Sequence, residues 1–358
     1  MPLLPGAPAP LFTAPSPVNP RFGFGSVGGR YVLLLFLPEP SPERDAALAA
    51  VHQRLRLLDD KRLAVFAVLP DAASFQAAAQ SENCVRWFHD PDGRIRRLYE
   101  AQDADGRLRP QAVAIDPSLR LLGVRPLAET GVVLERLAAL GAPDAHAGTP
   151  LHAPVLIVPR VLEPDFCRRL IEVYHEAGGA PSGVMQERDG KTIGVLNDMK
   201  RRMDASIPEG PLRQRLRACL VQRLLPEIEK AFQFRATYIE RYIVACYDAQ
   251  SGGYFHPHRD NTTPGTAHRR FAVSINLNAE EFDGGDLRFP EFGWRTYRPP
   301  TGGAVVFSCS LLHEATPVTC GRRYATLPFL YDEAGAKVRS ANLHTLQQPP
   351  VPEELAAS

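Results

Sequence analysis

The sequence predicts two domains of different class. Residues 1–142 read as an α/β domain, and residues 154–333 as a strand-rich jelly roll with flanking helices. A linker at 143–153 joins them, and a tail at 334–358 follows. Three observations carry this division. At 358 residues the chain is too long for one small core. Its first part alternates apolar strand-like runs with segments of helical period. From Tyr238 onward, strand-like runs are separated by turn signals such as Asp283-Gly284-Gly285 and Pro299-Pro300-Thr301-Gly302-Gly303.

In the first domain, Arg30 to Leu37 is a continuous apolar run, as expected of a strand buried on both faces. Glu43 to Leu58 places Leu48, Val51, Leu55 and Leu58 on one helical side. Arg62 to Leu69 is a second buried strand, and Ser74 to Ala79 a short helix. Asp90-Pro91-Asp92-Gly93 is a turn, Gln111–Asp116 with Leu121–Val124 a hairpin, and Gly131–Leu140 a closing helix. The linker is rich in Ala, Gly, Pro and His and has no apolar period.

The second domain opens with a strand at Val155–Val158 and a helix from Pro164 that buries Phe166, Leu170, Val173 and Tyr174. Residues 178–206 are polar and glycine-rich, a loop region. Leu212–Phe232 is an amphipathic helix interrupted at Pro226. The tail is expected to be mobile, with Asn342–Leu346 able to dock on the core.

Composition excludes several classes of function. With 41 basic and 40 acidic residues there is no electrostatic footprint for nucleic acid or for a membrane surface. No apolar run is long enough to span a bilayer. The proline-broken start, Met1-Pro2-Leu3-Leu4-Pro5-Gly6, does not read as a signal peptide. Six scattered cysteines without metal-ligand spacing suit reduced thiols and a cytoplasmic setting.

The chemistry concentrates in Gly252-Gly253-Tyr254-Phe255-His256-Pro257-His258-Arg259-Asp260. On a strand, residues two apart share a face, so His258 and Asp260 can reach one metal ion. His313, on a later strand, completes two histidines and a carboxylate, a set that leaves coordination positions open and suits non-heme Fe(II). Arg323, ten residues further on, offers a planar fork for a carboxylate. His256 could pair with His258 as a ligand, but Pro257 argues for a His256 that faces solvent or substrate. His268 and His344 sit in polar contexts and are expected at the surface, and Cys309 in the core.

Ala245-Cys246-Tyr247, Gly253-Tyr254, His258-x-Asp260, Asn276-Leu277-Asn278, Gly284-Gly285-Asp286-Leu287, His313, Pro317-Val318 and Arg323-Tyr324-Ala325 follow one another in order. In this the segment 238–332 resembles the Fe(II)/2-oxoglutarate dioxygenases of the prolyl-hydroxylase-like branch. The resemblance implies a double-stranded β-helix holding Fe(II) through His258, Asp260 and His313. It also implies 2-oxoglutarate and O2 as co-substrates, with ascorbate an optional further cofactor. Arg323 would take the distal carboxylate of 2-oxoglutarate and Tyr247 would donate to it, unless Tyr247 is simply a core tyrosine. Arg322 would face the other way. The implied reaction couples decarboxylation of 2-oxoglutarate to succinate with hydroxylation of an unactivated C–H bond. Asp260 favours hydroxylation over halogenation, because related halogenases have a small residue there. Residues Val184–Met203 either touch substrate at the mouth of the site or form an ordinary surface loop.

Residues 1–142 resemble the peroxiredoxin/thioredoxin-like fold, through Gly6-x-Pro8-Ala9-Pro10-x-Phe12, the strand at 31–37, Asp90-Pro91-Asp92-Gly93 and Val113-x-Ile115-Asp116-Pro117. Asp45 stands where a peroxiredoxin has its peroxidatic cysteine, and a carboxylate cannot do thiolate chemistry. Cys84 precedes Val85-Arg86-Trp87-Phe88, an apolar setting expected of a buried thiol. The domain is therefore expected to be structural, dimerising or substrate-presenting. The expected substrate is a prolyl or other residue of a peptide or protein, or a free amino acid or natural product. A homodimer is left open. The alternatives are a recruiting protein that binds a partner through its first domain, a nucleic-acid demethylase, which lacks a basic stripe, and a thiol peroxidase, which lacks its cysteine.

Overall fold

The computed structural model describes residues 3–79 and 84–346. Contacts within the chain divide it into two compact units, Met1–Ala153 with Phe289–Arg295, and Pro154–Arg288 with Thr296–Ser358.

The first unit is built on a five-stranded sheet. Its spatial order is Val85–His89, Leu63–Leu69, Tyr31–Phe36, Gln111–Ile115, Leu121–Pro126. The first three strands run parallel, and the last two pair antiparallel to the strand before them. Helices Pro42–His52, Ala72–Ala79 and Thr130–Ala139 complete the α/β sandwich, the thioredoxin-like class the sequence predicts. The central strand explains its own composition. Val32, Leu34 and Phe36 pack into one core with Phe66 and Phe88, while Tyr31, Leu33 and Leu35 pack into another with Val51 and Leu134. Both faces are covered, so apolar residues run on without alternation.

Three expectations for this unit are corrected. The helix expected to reach Leu58 ends at His52, where the Arg54 guanidinium turns back to donate to the Ala50 carbonyl at 3.1 Å and satisfies one of the helix's last acceptors. Leu55 is exposed. Val85–His89 is an additional parallel strand, and Arg94–Leu98 an additional short helix after the turn. Cys84 is exposed rather than buried, because it lies just before that edge strand, whose Val85 and Trp87 take the covered positions. Asp45 is an exposed residue in the first turn of its helix, where a negative charge is favoured by the helix dipole. The expected linker includes a short turn at Pro143–Ala145, with Pro143 and Ala153 buried.

The second unit is the expected jelly roll of two sheets. The larger sheet runs Tyr238–Glu240, Phe329–Tyr331, Phe271–Asn276, Val318–Thr326, Ile243–Asp248, Met203–Ser206 and Ala180–Pro181, with Ala304–Ser308 and Leu156–Val158 added beside Phe271–Asn276. The smaller sheet runs Lys200–Arg201, Tyr254–His258, His313–Ala315, Leu287–Arg288, Thr296–Tyr297. Helix Pro164–Ala177 and the 211–232 helical segment close the outer face of the larger sheet through Phe166, Leu170, Leu216, Leu220, Leu224 and Ile228. The chain does not break at Pro226. It passes through one wide π-type turn, Leu220–Leu224, directly before the proline. Such a turn makes room where a proline ring would clash with the preceding turn of an α-helix.

Residues 178–206 are not a loop. Val184–Arg188 and Lys191–Val195 form a hairpin around Asp189-Gly190, both with positive φ, as a two-residue primed turn requires. The tail is also more ordered than expected. Asp332 caps a helix, Glu333–Asn342, by accepting from the Gly335 N–H at 2.8 Å, and Leu346 bridges to Thr192. Residues 347–358 of the expected tail, and Met1 and Pro2 of the expected non-signal start, lie outside the described residues. No helix among the described residues is long and apolar enough to cross a membrane. All six cysteines are free, and Cys309 is buried as expected.

His268, expected at the surface, is buried against Tyr331 and bonds through Nε2 to Glu240. Arg269 donates to the same carboxylate at 2.6 Å. Polar neighbours in sequence were misleading here, because the buried partner comes from a distant strand. Burial opposes the charge on Glu240, but His268 and Arg269 outweigh it and bring its carboxyl down to about 2 from 4.5. A depressed carboxylate stabilises above its unfolded value and loses that contribution as pH falls through its folded value. Glu240→Gln should therefore destabilise the protein by roughly 3 kcal/mol at pH 7. In chemical unfolding the gap to wild type should close between pH 4.5 and 2. A gap that stays constant across that window would contradict the assignment.

Candidate metal centre and the cavity behind it

Register brings the site together. His258 is the direct cross-strand partner of His313 in the smaller sheet. Tyr247 is the direct cross-strand partner of Arg323 in the larger one. All four line one cavity, together with Asp260.

The strand carrying His258 is irregular. Phe255 pairs with Ala315 and His258 with His313, so three steps on one strand match two on the other. The bulge turns His256 out to solvent, its ring against Tyr254, while His258 turns inward. Asp260 is not on the strand, contrary to the simple alternation argument. The strand ends at His258, and Asp260 sits in the following turn with its N–H donating to the Cys309 carbonyl at 3.0 Å. That bond ties the turn to the segment just before His313. The Phe255 ring stacks on His258 with centroids 3.4 Å apart.

His258, Asp260 and His313 offer ligand atoms all within 4.8 Å of one another, and could hold a metal ion. The hydrogen bonds fit that use. Nδ1 of His258 lies 2.8 Å from the His256 carbonyl, and Nδ1 of His313 lies 3.0 Å from the Leu311 carbonyl. A carbonyl only accepts, so each Nδ1 carries the proton and each Nε2 presents a lone pair. Those Nε2 atoms lie 3.6 and 3.3 Å from the two oxygens of Asp260. Lone pairs facing a carboxylate repel unless a cation lies between them, and a small divalent ion answers that need. Burial and the adjacent His313 push His258 down to about 4, which keeps the imidazole neutral as a ligand must be.

Behind the trio, Arg323 is buried and fixed on three sides. Its guanidinium donates to Ser274 Oγ at 2.7 Å, to the Gly285 carbonyl at 2.7 Å and to Asn276 Oδ1 at 3.3 Å. Burial lowers it from its ordinary value, though an arginine stays charged. Among the described residues no carboxylate lies within ion-pair distance of it. Arg322 points the other way, to Asp248 at 2.7 Å, as alternation requires. Tyr247 is buried, with its ring 5.3 Å from the Arg323 guanidinium and its hydroxyl 3.4 Å from Nη1 of Arg202.

Gly284 and Gly285 have φ of +68° and +67°. A Cβ at Gly284 would lie 2.2 Å from the Pro317 carbonyl oxygen, and one at Gly285 2.7 Å from Val318 and 3.3 Å from Cδ of Arg323. The glycines are there for close approach as well as for the turn. Sequence reasoning missed Arg202, which pairs with Asp204 at 2.7 Å, as well as Ser274 and Arg241 on the cavity wall. Arg202-x-Asp204 has strand spacing, and the Asp189-Gly190 hairpin signal before it should have argued against a loop.

The comparisons accord with this geometry. A family model described as the 2OG-Fe(II) oxygenase superfamily matches residues 242–331. A PKHD-type hydroxylase of Pseudomonas fluorescens is 30% identical over 183 residues, 48% of this chain and 76% of its own. The chain belongs to the 2OG-Fe(II) oxygenase superfamily. Its oxygenase unit is also similar to a prolyl hydroxylase from Trichoplax adhaerens, solved in complex with a hypoxia inducible factor peptide fragment. That likeness has a TM-score of 0.43 and 20% identity, and covers 52% of this chain and 86% of that one. For the N-terminal part there is a likeness to a thiol:disulfide interchange protein DsbE of Chlorobium tepidum. It has a TM-score of 0.32 and 25% identity, and covers 39% of this chain and all of that one. By its family model and its PKHD-type hydroxylase relatives the chain is a dioxygenase, and the family implies Fe(II) and 2-oxoglutarate.

The glycine pair gives a prediction about the oxygenase fold. Gly285→Ala should lower the thermal midpoint markedly, since both backbone strain and a clash oppose it. Gly252→Ala, at φ +64° with nothing within 4 Å of its Cβ, should cost only about 1 kcal/mol of strain. Equal losses from the two substitutions would show that strain, not close approach, selects glycine at 285.

Proposed function

We propose that the chain is an Fe(II)- and 2-oxoglutarate-dependent hydroxylase acting on an amino-acid or peptide substrate. Its iron ligands are His258, Asp260 and His313. The observation that carries this reading is the pairing of two cross-strand couples on one cavity, a metal-competent trio on one sheet and a carboxylate-competent arginine on the other. When bound, the iron with its co-substrate supplies the oxidising power for hydroxylation of an unactivated C–H bond.

The chain's own residues do the rest. Asp260 and the Nε2 atoms of His258 and His313 would hold the ion, a set of three protein ligands that would leave coordination positions for co-substrate and O2. Arg323 takes the distal carboxylate of 2-oxoglutarate through a guanidinium already fixed by Ser274, Asn276 and Gly285. Because its own bonds hold it in place, little ordering is needed when the anion arrives. Tyr247 packs beside Arg323 and offers its hydroxyl to the same carboxylate. Phe255, Leu287, Phe307 and Ala315 make the wall apolar and limit water around the ion. The N-terminal unit, with exposed Asp45 in the peroxidatic position and one exposed cysteine, serves to recruit or present a substrate.

Metal and co-substrate binding are separable tests. His258→Ala, Asp260→Ala and His313→Ala should each abolish tight Fe(II) binding in anaerobic titration, and with it succinate release. Arg323→Met should leave metal affinity within a few-fold of wild type. It should weaken 2-oxoglutarate binding by roughly 3 kcal/mol or more, about a hundred-fold. Arg322→Met should do little. Retained iron affinity in any of the three ligand variants, or a stronger effect at Arg322 than at Arg323, would refute the assignment.

A further inference from the structure

The cavity contains one more charge than the proposed chemistry uses. Three guanidinium groups line it, from Arg202, Arg241 and Arg323. Arg202 is matched by Asp204 at 2.7 Å. On the reading above, a divalent ion, Asp260, the doubly charged co-substrate and Arg323 balance one another. Arg241 is left over.

Its surroundings do not neutralise it. Nε and Nη2 of Arg241 both donate to the Leu327 carbonyl, at 3.0 and 2.7 Å, and the guanidinium lies 4.3 Å from the centre of the Phe329 ring. Among the described residues no carboxylate stands within ion-pair distance. The charged groups around it are Arg202, Arg269, Asp204 and Asp260, with Lys200 also near enough to feel it. Arg269 is held by Glu240, Arg202 and Asp204 hold each other, and Asp260 faces the two histidines. Burial, with Arg202 and Arg269 nearby, pushes Arg241 down to about 10 from its ordinary 12.5, still charged at neutral pH. The backbone is also strained there. Arg241 has φ +69° in the short link between the strands Tyr238–Glu240 and Ile243–Asp248, a conformation that costs a non-glycine residue on the order of 1 kcal/mol.

Arg241 and Arg323 are held by different partners in the cavity. Arg323 is tied to Gly285 and Ser274, whereas Arg241 is tied to Leu327 and Phe329. The co-substrate's distal carboxylate needs one of them only. We propose that Arg241 binds a carboxylate of the primary substrate, so that the substrate class is a carboxylic acid of amino-acid size, either a free amino acid or the carboxyl-terminal residue of a peptide. The inference deepens the reading of the site as a 2-oxoglutarate oxygenase and rests on it. Residues in the interior of a polypeptide, which lack that carboxylate, would leave this half-buried cation unmatched.

The test uses the full chain loaded with Zn(II) and N-oxalylglycine, a non-reacting analogue of the co-substrate. Matched pairs are titrated calorimetrically, free L-amino acids against their amides and tripeptides with free against amidated C-termini. The two kinds of pair distinguish the free acid from the chain end. Acid members should bind more tightly than their amides by about ten-fold or more, the worth of a charge-assisted hydrogen bond. Arg241→Gln should bring acid and amide to parity without altering N-oxalylglycine affinity, and Arg241→Lys should keep part of the preference. The wild-type comparison needs no variant, so a folding defect in Arg241→Gln does not remove the test. Parity in the wild type, absence of binding by every acid, or a preference that survives Arg241→Gln would overturn the proposal. So would loss of N-oxalylglycine binding in Arg241→Gln, which would give Arg241 to the co-substrate instead. Should N-oxalylglycine bind equally with and without metal, the underlying oxygenase reading fails first and the proposal falls with it.

Discussion

The constraint on which the site depends is strand register. His258 faces His313 on one sheet, and Tyr247 faces Arg323 on the other. Side chains alternate with a period of two, so a slip of one residue on the Val318–Thr326 strand would bring Arg322 into the cavity and send Arg323 to solvent. The register is fixed from several directions. Asn278 accepts the Tyr324 N–H at 2.9 Å and donates to the Arg322 carbonyl at 2.8 Å. Gly284 and Gly285 let the chain pass where any side chain would collide with Pro317 or Val318.

Much of this could be read in the sequence because it is local or compositional. The double-faced strand Tyr31–Phe36 announces itself by continuous apolar residues, and both of its faces are buried. His258 and Asp260 were paired for the wrong geometric reason. The strand bulges before His258 and ends there, and a turn held to Cys309 delivers the carboxylate. His256 is turned out to solvent, away from the trio, and the bulge is the physical cause.

What stayed illegible was set by long-range partners. The polar sequence around His268 gives no hint of Glu240, 28 positions earlier. The polar stretch 178–206 conceals a hairpin and the buried Lys200 and Arg202. Lys200 is pushed down to about 6 by burial first and by Arg202 second, and its Nζ donates to Ser182 Oγ at 2.9 Å. Long basic side chains are normally surface residues. Only tertiary structure reveals which of 41 basic residues are enclosed. Arg241, half-buried on the cavity wall, is equally invisible in the sequence, since no motif marks it.

The account stands on a metal ion at the trio with a co-substrate reaching from it toward Arg323. Diffraction from crystals grown with Mn(II) and N-oxalylglycine tests this most directly. The account requires an anomalous peak within coordination distance of both Nε2 atoms and of Asp260, with the analogue's distal carboxylate paired to Arg323. A peak ligated by His256, or an analogue whose distal carboxylate lies away from Arg323, would contradict it.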